Sequence, residues 1–124
     1  MLLGPLLFSL LSQAAPVAAL VGTRIYPLRI PQEQPRPAIT YQLISRVPEG
    51  SALCELDDDA RVQVSLFADT YGEIEALSQA VRAVLHLNPA APVHMSLDNE
   101  IDHHDDTADC YFRSQDYFLE LPAA

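Results

Sequence analysis

The sequence predicts a single α+β domain in which an antiparallel sheet carries an N-terminal amphipathic helix and one long central helix. The chain has 124 residues, the size of one domain, and 49% of them are apolar, which is enough for one core and excludes a wholly disordered chain. The spacing of the apolar residues also changes along the chain between that of a helix and that of a strand, in the order α-β-β-β-α-β-β. We therefore treat residues 1–124 as one domain.

The first element is predicted to be an amphipathic helix over residues 2–14 that docks on the core. Pro5 is compatible with its first turn, where the missing N–H would have no partner, and residues 16–21 add further helical turns that end at Gly22. A signal peptide is the alternative, but no Lys or Arg precedes the apolar stretch, and Pro5 and Pro16 leave no unbroken membrane span. The apolar residues recur at helical spacing: Leu2, Leu3, Leu6, Leu7, Leu10, Leu11 and Ala14.

Two alternating segments in the middle of the chain predict an antiparallel strand pair with a long connection. Before them, residues 23–28 form a short extended segment, and residues 30–37, which contain three prolines, form a loop or edge segment. In each strand one side is apolar: Ile39, Tyr41 and Leu43 in residues 38–46, and Val62, Val64, Leu66 and Ala68 in residues 61–68.

The long central helix follows the second of these strands. Thr70 and Glu73 fit a capping box, in which each side chain satisfies a backbone N–H at the start of the helix. Asn88 and Pro89 are predicted to stop the helix. Its apolar stripe consists of Ile74, Leu77, Ala80, Val81, Val84 and Leu85.

A last hairpin is predicted from residues 93–97, an acidic link and residues 110–121. The final strand has large side chains at both odd-numbered and even-numbered positions, which would point to opposite faces. This pattern implies a bulge or a two-sided contact and puts the pairing of that edge in doubt. One parity holds Cys110, Phe112 and Phe118, and the other holds Tyr111, Tyr117, Leu119 and Leu121.

The charge of the chain is negative and unevenly placed. The formal net charge is −10, and all seven basic residues are Arg. Residues 1–50 have a balance of +2, whereas residues 51–124 have three Arg against fifteen carboxylates, a balance of −12. This charge disfavours generic nucleic-acid binding. It predicts one strongly acidic face. In a monomer this face would be a solvated surface, whereas in a ring the copies would add up to a large negative electrostatic field on one side or in the lumen.

One dense group of residues, 98–109, could carry chemistry. It contains His103, His104 and six carboxylates, so a divalent cation is one interpretation. However, it lacks the Asp-x-Asp-x-Asp-Gly spacing and the terminal Glu of an EF-hand calcium loop, and adjacent His residues do not share a face of a strand. A solvated hairpin tip that touches a partner is the preferred interpretation, and we predict neither a metal nor a cofactor.

Catalysis is poorly supported by the sequence, and we predict that the chain is not an enzyme. Cys110 lies near two His residues in sequence, but no third partner is identifiable. The four glycines provide no phosphate-binding loop. Cys54 and Cys110 form no disulfide framework or zinc spacing and are interpreted as small buried or half-buried thiols.

Several strings, taken in order, resemble the tail completion, or tail terminator, family of long-tailed bacteriophages, which also occurs in gene transfer agents. The resemblance covers residues 2–121, and its specificity lies in the order of the strings. They are VAALVGTRIYPL at 17–28, PQ at 31–32, ITYQLIS at 39–45, RVQV at 61–64, ADTY at 68–71 with the helix that follows, and DDT at 105–107.

The resemblance implies a structural virion protein of the tail and neck region, made in the host bacterial cytoplasm. Such proteins form a ring, usually of six copies, that caps the head-proximal end of the tail tube, ends its polymerisation and joins the tail to the head. The implied partners are further copies of the chain, the tail tube protein and the head–tail connector or neck protein, with DNA as passing cargo and no membrane. The alternatives are another neck or connector adaptor, a minor tail protein or, less favoured, a secreted small binding protein.

Two groups of residues are predicted to be interfaces. The acidic group is expected to face the channel or a basic partner, and the basic, proline-rich segment is expected to face an acidic neighbour. For the proline-rich segment, an ordinary surface loop is an equal alternative. The residues are Asp98, Glu100, Asp102, Asp105, Asp106 and Asp109 in the first group, and Arg24, Tyr26, Arg29 and Arg36 in the second.

Overall fold

The computed structural model describes residues 1–50 and 56–122, which form three helices and five strands. The predicted fold class is confirmed. The helices are α1 (Leu3–Ser12), α2 (Ala15–Val21) and α3 (Tyr71–Leu85). The strands are β1 (Ile25–Pro27), β2 (Ala38–Val47), β3 (Asp58–Ala68), β4 (Met95–Asp105) and β5 (Cys110–Leu121).

The five strands form one sheet in the order β1-β2-β3-β5-β4. The helices cover one face, where Val62, Val64 and Leu66 of β3 belong to a single core with the apolar residues of α1, α2 and α3. The opposite face, called the open face here, carries the alternate residues of the same strands. Among them are Ser65, Phe67, Phe112, Ser114 and Phe118.

The N-terminal segment docks on the core, as predicted. Leu7, Leu11, Val17 and Val21 are fully buried, and Gly22 ends α2 with a φ of 60°. Within the described residues, no single helix combines the length and hydropathy needed to cross a membrane; α1 and α2 reach both only when taken together, and they meet at a bend of 91°.

The strand pairing differs from the prediction at both ends of the chain. β1 pairs with β2 in parallel instead of antiparallel, because the loop between them returns the chain to the level at which β1 begins before β2 starts. β5 is not an edge strand: it lies between β3 and β4 and pairs with β3 without interruption. Its two-sided pattern reflects burial on both faces, with Cys110 and Ser114 on the open face and Tyr117 on the helix-covered face.

Two irregularities lie at one level of the sheet. One interrupts β2 between Leu43 and Ser45, and the other interrupts β4 between Leu97 and Asn99. The registers place Leu43 opposite Val62, Val62 opposite Tyr117, and Tyr117 opposite Leu97. The two bulges therefore flank the regular β3–β5 pair in the same row.

The start of α3 is capped largely as predicted. The Thr70 hydroxyl oxygen accepts from the Glu73 backbone N–H at 3.2 Å, and the same hydroxyl, instead of the Thr70 backbone N–H, donates to the Glu73 carboxylate at 3.0 Å. The helix ends at Leu85, three residues before the predicted stop, and Leu87 takes a left-handed φ of 50°. The buried residues of α3 are Ile74, Leu77, Ser78, Val81 and Leu85.

Replacing Leu11 with Ala should lower the free energy of unfolding by about 2–5 kcal/mol, because the side chain is fully buried and its loss leaves a cavity. Urea denaturation followed by circular dichroism measures this change. Leu2→Ala is the control, since Leu2 is 69% exposed and its change should stay within about 0.5 kcal/mol. Equal stabilities of the two variants would show that α1 is not part of the core.

Candidate functional site

Most of the acidic stretch 98–109 belongs to a strand. β4 extends through Asp105, which pairs with Cys110, and only residues 106–109 form the turn before β5. The prediction of an acidic link or hairpin tip over the whole stretch is therefore wrong. Strand alternation separates the carboxylates, because the register places Glu100 and Asp102 on the helix-covered face and Asp105 on the open face.

Asp102 lies in a network that joins β4 and β5 to the start of α3. Arg113 donates to Asp102 through Nε at 2.5 Å and also contacts the Glu75 carboxylate. The Tyr71 hydroxyl donates to Asp102 at 2.6 Å and accepts from Arg113 at 3.0 Å. The bonds from Arg113 and Tyr71 lower the pKa of Asp102, and the bond to Asp102 raises the pKa of Arg113. The charge of Asp102 is thus used within the chain.

Glu100 also faces inward, toward α3. Its Oε1 accepts from Gln115 Nε2 at 2.7 Å and from the Ser78 hydroxyl at 2.9 Å. Gln115 is fully buried and accepts at its Oε1 from the hydroxyl of Tyr117, which is fully buried as well, at 2.8 Å. Burial raises the pKa of Tyr117. This chain of bonds fixes α3 against β4 and β5, and it engages the Glu100 carboxylate inside the subunit.

Asp98 is paired on the open face. Arg61 donates to Asp98 at 2.9 Å and lies 3.4 Å from Asp116. The Arg61 guanidinium also sits over the ring of Phe118, 4.8 Å from its centroid. Asp98, Glu100 and Asp102 are therefore each held by a partner within the chain.

The turn after β4 keeps the most exposed carboxylates of this group. Asp105 accepts from the backbone N–H groups of Thr107 and Ala108 at 3.0 and 3.1 Å, which fixes the turn. The side chains of Asp106 and Asp109 are 98% and 93% exposed, and they flank His104 at 2.8 and 3.4 Å. Across residues 1–50 and 56–122, no three His, Cys, Asp or Glu side chains form a group that could hold a metal ion.

The basic segment is mainly engaged inside the chain. Arg24 donates to the carbonyl oxygens of Pro37 at 2.9 Å and Leu20 at 3.3 Å, which holds the end of α2 against the proline-rich loop. Arg36 pairs with Asp69 at 2.7 Å, which raises the pKa of Arg36. The Tyr26 hydroxyl donates to Gln34 at 3.1 Å, whereas Arg29 is exposed.

Sequence reasoning missed an aromatic stack on the open face. The ring of Phe112 lies 5.1 Å from that of Phe67 and 4.6 Å from that of His103, so one residue from each of three neighbouring strands takes part. The only indication in the sequence is that Phe112 shares one side of the final strand with Cys110 and Phe118. This pattern does not reveal the other two rings. Cys110 lies in the same strand and is buried, which raises the pKa of its thiol and disfavours the thiolate that a nucleophile needs. Cys54 lies outside the described residues.

The comparisons with known proteins agree with this architecture. The model of the family described as "Tail completion protein gp17" matches residues 5–120. One chain in the solved virion of a native gene transfer agent particle has a similar fold, with a TM-score of 0.64 and 18% sequence identity over 94% of this chain and 92% of that chain. No curated protein matches the sequence.

Replacing Asp102 with Asn should lower the free energy of unfolding by about 1 kcal/mol at pH 7, since it removes a partly exposed ion pair. The pKa of Asp102 is lowered in the folded state, so its contribution is present above the ordinary Asp value of about 4 and is lost as the pH falls through the folded value. The difference from the parent protein should therefore shrink in acid. Urea titrations between about pH 3 and 7 measure it. Asp106→Asn is the control and should have almost no effect. A stability difference between Asp102→Asn and the parent protein that does not change with pH would contradict a contribution from the charge of Asp102.

Proposed function

Because the chain belongs to the tail completion protein gp17 family, we propose that this structural protein of the virion tail forms a ring on the head-proximal end of the tail tube. The ring ends polymerisation of the tube and joins the tail to the head. The observation that carries this proposal is the extent of the family match, which runs from within α1 to within β5 and so includes every element of the domain. The proposed partners are further copies of the chain, the tail tube protein and the connector or neck protein, and we propose a ring of six.

The unequal surfaces of the subunit support a ring between two different neighbours. A head-to-tail ring presents one end to the tube and another to the neck, so its subunit needs chemically distinct surfaces. Here helices cover one face of the sheet, while the open face exposes Val47, Ile101 and Phe118 by 51%, 48% and 45%. The open strand face and the helix layer therefore present two different surfaces to neighbours.

The acidic turn supports a role near passing DNA. Asp98 and Asp102 pair with Arg61 and Arg113, and Glu100 faces inward, so the most exposed negative charge of this region comes from Asp106 and Asp109. In a ring, the turns of all copies would add to one field. We place this turn at the channel, where like charge would keep DNA from adhering to the wall.

Deletion of the gene in the producing strain tests the proposed function, with negative-stain electron microscopy of the lysate as the readout. We expect filled heads beside unattached tails, many of them longer than normal, because nothing ends the tube. Unattached tails of normal length would instead indicate a neck adaptor that joins without terminating. Normal joined particles would contradict both functions.

Replacing both Asp106 and Asp109 with Asn should lower the yield of functional particles while leaving the stability of the subunit within about 0.5 kcal/mol, because both side chains are exposed. Titre and particle counts from the complemented deletion strain measure the effect. The control neutralises two exposed carboxylates elsewhere, with Asp57→Asn and Glu120→Gln. Equal losses in both variants would assign the effect to net charge and contradict a specific role of the turn.

A further inference from the structure

Leu28 projects from a tight turn at the end of β1. The Arg29 N–H donates to the Pro27 carbonyl at 2.7 Å, so the turn has three residues, and Leu28 at its centre has a φ of 66°. This left-handed conformation is unfavourable for a residue with a bulky side chain. The Leu28 N–H donates to Tyr41 O at 2.9 Å, which fixes the turn to β2.

Two backbone hydrogen bonds hold this turn, but burial of the Leu28 side chain contributes little to offset its cost. The side chain of Leu28 is 70% exposed, the largest exposed fraction among the large apolar residues that the structure describes. Leu87 also has a positive φ and is 54% exposed, but it follows the last turn of α3, where left-handed residues commonly end helices. Leu28 has no such explanation, and backbone strain of this kind tends to occur where a function requires it.

An apolar groove runs along the helix layer between α1 and α3. It consists of two adjoining pockets of about 600 and 420 Å³ that share Ser9, Leu10, Gln13 and Ala90. No Asp, Glu, Lys, Arg or His side chain lines either pocket. Met1 lines the larger pocket, and its terminal ammonium donates to the Pro122 carbonyl at 2.8 Å. An apolar side chain that enters the smaller pocket therefore removes no ion from water. The rest of the lining includes Leu2, Leu6, Ala80, Ala83, Val84 and Pro92.

The distribution of carboxylates indicates that a second copy occupies the groove. Two copies of a chain with a net charge of −10 repel each other, so they approach best where both surfaces lack carboxylates. Residues 1–32 contain no Asp or Glu, and neither do residues 76–97. The first segment supplies the Leu28 turn and α1, and the second supplies the other wall of the groove. Arg29, which is exposed beside Leu28, makes the approach to an acidic copy more favourable.

We propose that Leu28 of one subunit inserts into the apolar groove of the next, and that this head-to-tail contact builds the ring. The inference rests on the proposed ring-forming function and names its contact. Leu28 and the groove lining share no residue, as a heterologous contact requires. Each subunit then offers one apolar side chain and one groove, so a closed ring satisfies every copy.

Cross-linking tests the contact directly. Leu28→Cys and Ala90→Cys are introduced together in full-length protein that also carries Cys54→Ser and Cys110→Ala, and each is also made alone in that background. A short bis-maleimide is applied to the purified protein and to particles from the complemented deletion strain. The double variant should give a ladder of linked copies, and the single variants should remain unlinked. Linking of Leu28→Cys alone, or of the double variant to another virion protein, would overturn the inference.

A substitution separates assembly from folding. Leu28→Asn removes the apolar side chain but keeps the left-handed conformation accessible, so the subunit should fold normally yet lose the ring in native mass spectrometry and in tails. Leu43→Asn is the matched control, because Leu43 is 45% exposed and lies outside both surfaces; it should keep the ring. Rings that persist with Leu28→Asn would overturn this contact and leave the proposed function standing. The same holds for rings of the double-Cys protein in which the bis-maleimide fails to link residues 28 and 90. Absence of any ring from purified parent protein and from its tails would contradict the proposed function itself.

Discussion

The pairing of β3 with β5 is the interaction on which the rest of the structure depends. It joins Asp58–Ala68 to the last strand of the chain, residue by residue from Leu121 to Tyr111. Because β5 occupies the place beside β3, the chain between them must cross the helix-covered face as α3 and then descend as the edge strand β4. The acidic stretch is thereby drawn into the sheet, where its carboxylates meet Arg61 and Arg113 from the two central strands.

Local patterns were sufficient to predict the elements but not their neighbours. The helical spacing of Leu7 and Leu11 and the alternation of Val62 and Val64 depend on residues close in sequence, and the structure confirms both. The capping pair Thr70 and Glu73 is also local, and the structure confirms its Thr70 half. The parallel position of β1 and the interior position of β5 depend on contacts between distant segments, which periodicity does not contain.

The same limit explains why the candidate site was only partly predictable. A run of carboxylates is typical of a solvated surface, and the sequence does not show that alternate members will lie on opposite faces of a strand. Asp102 acquires Arg113 only after β4 and β5 pair, and Arg36 acquires Asp69 from a segment thirty-three residues away. Exposed Asp106 and Asp109, together with Arg29, are the predicted residues that the fold leaves available to partners.

The two bulges of β2 and β4 each place one extra residue in their strand. A bulge bends its strand and increases the local twist. Both bulges lie beside the Val62–Tyr117 pair, so the bends of β2 and β4 fall in the same row, while β3 and β5 between them pair without a shift. The extra residue of β4 is Asp98, which lies outside the β4–β5 register and pairs with Arg61, so the bulge that interrupts the ladder also aims a charge at a central strand.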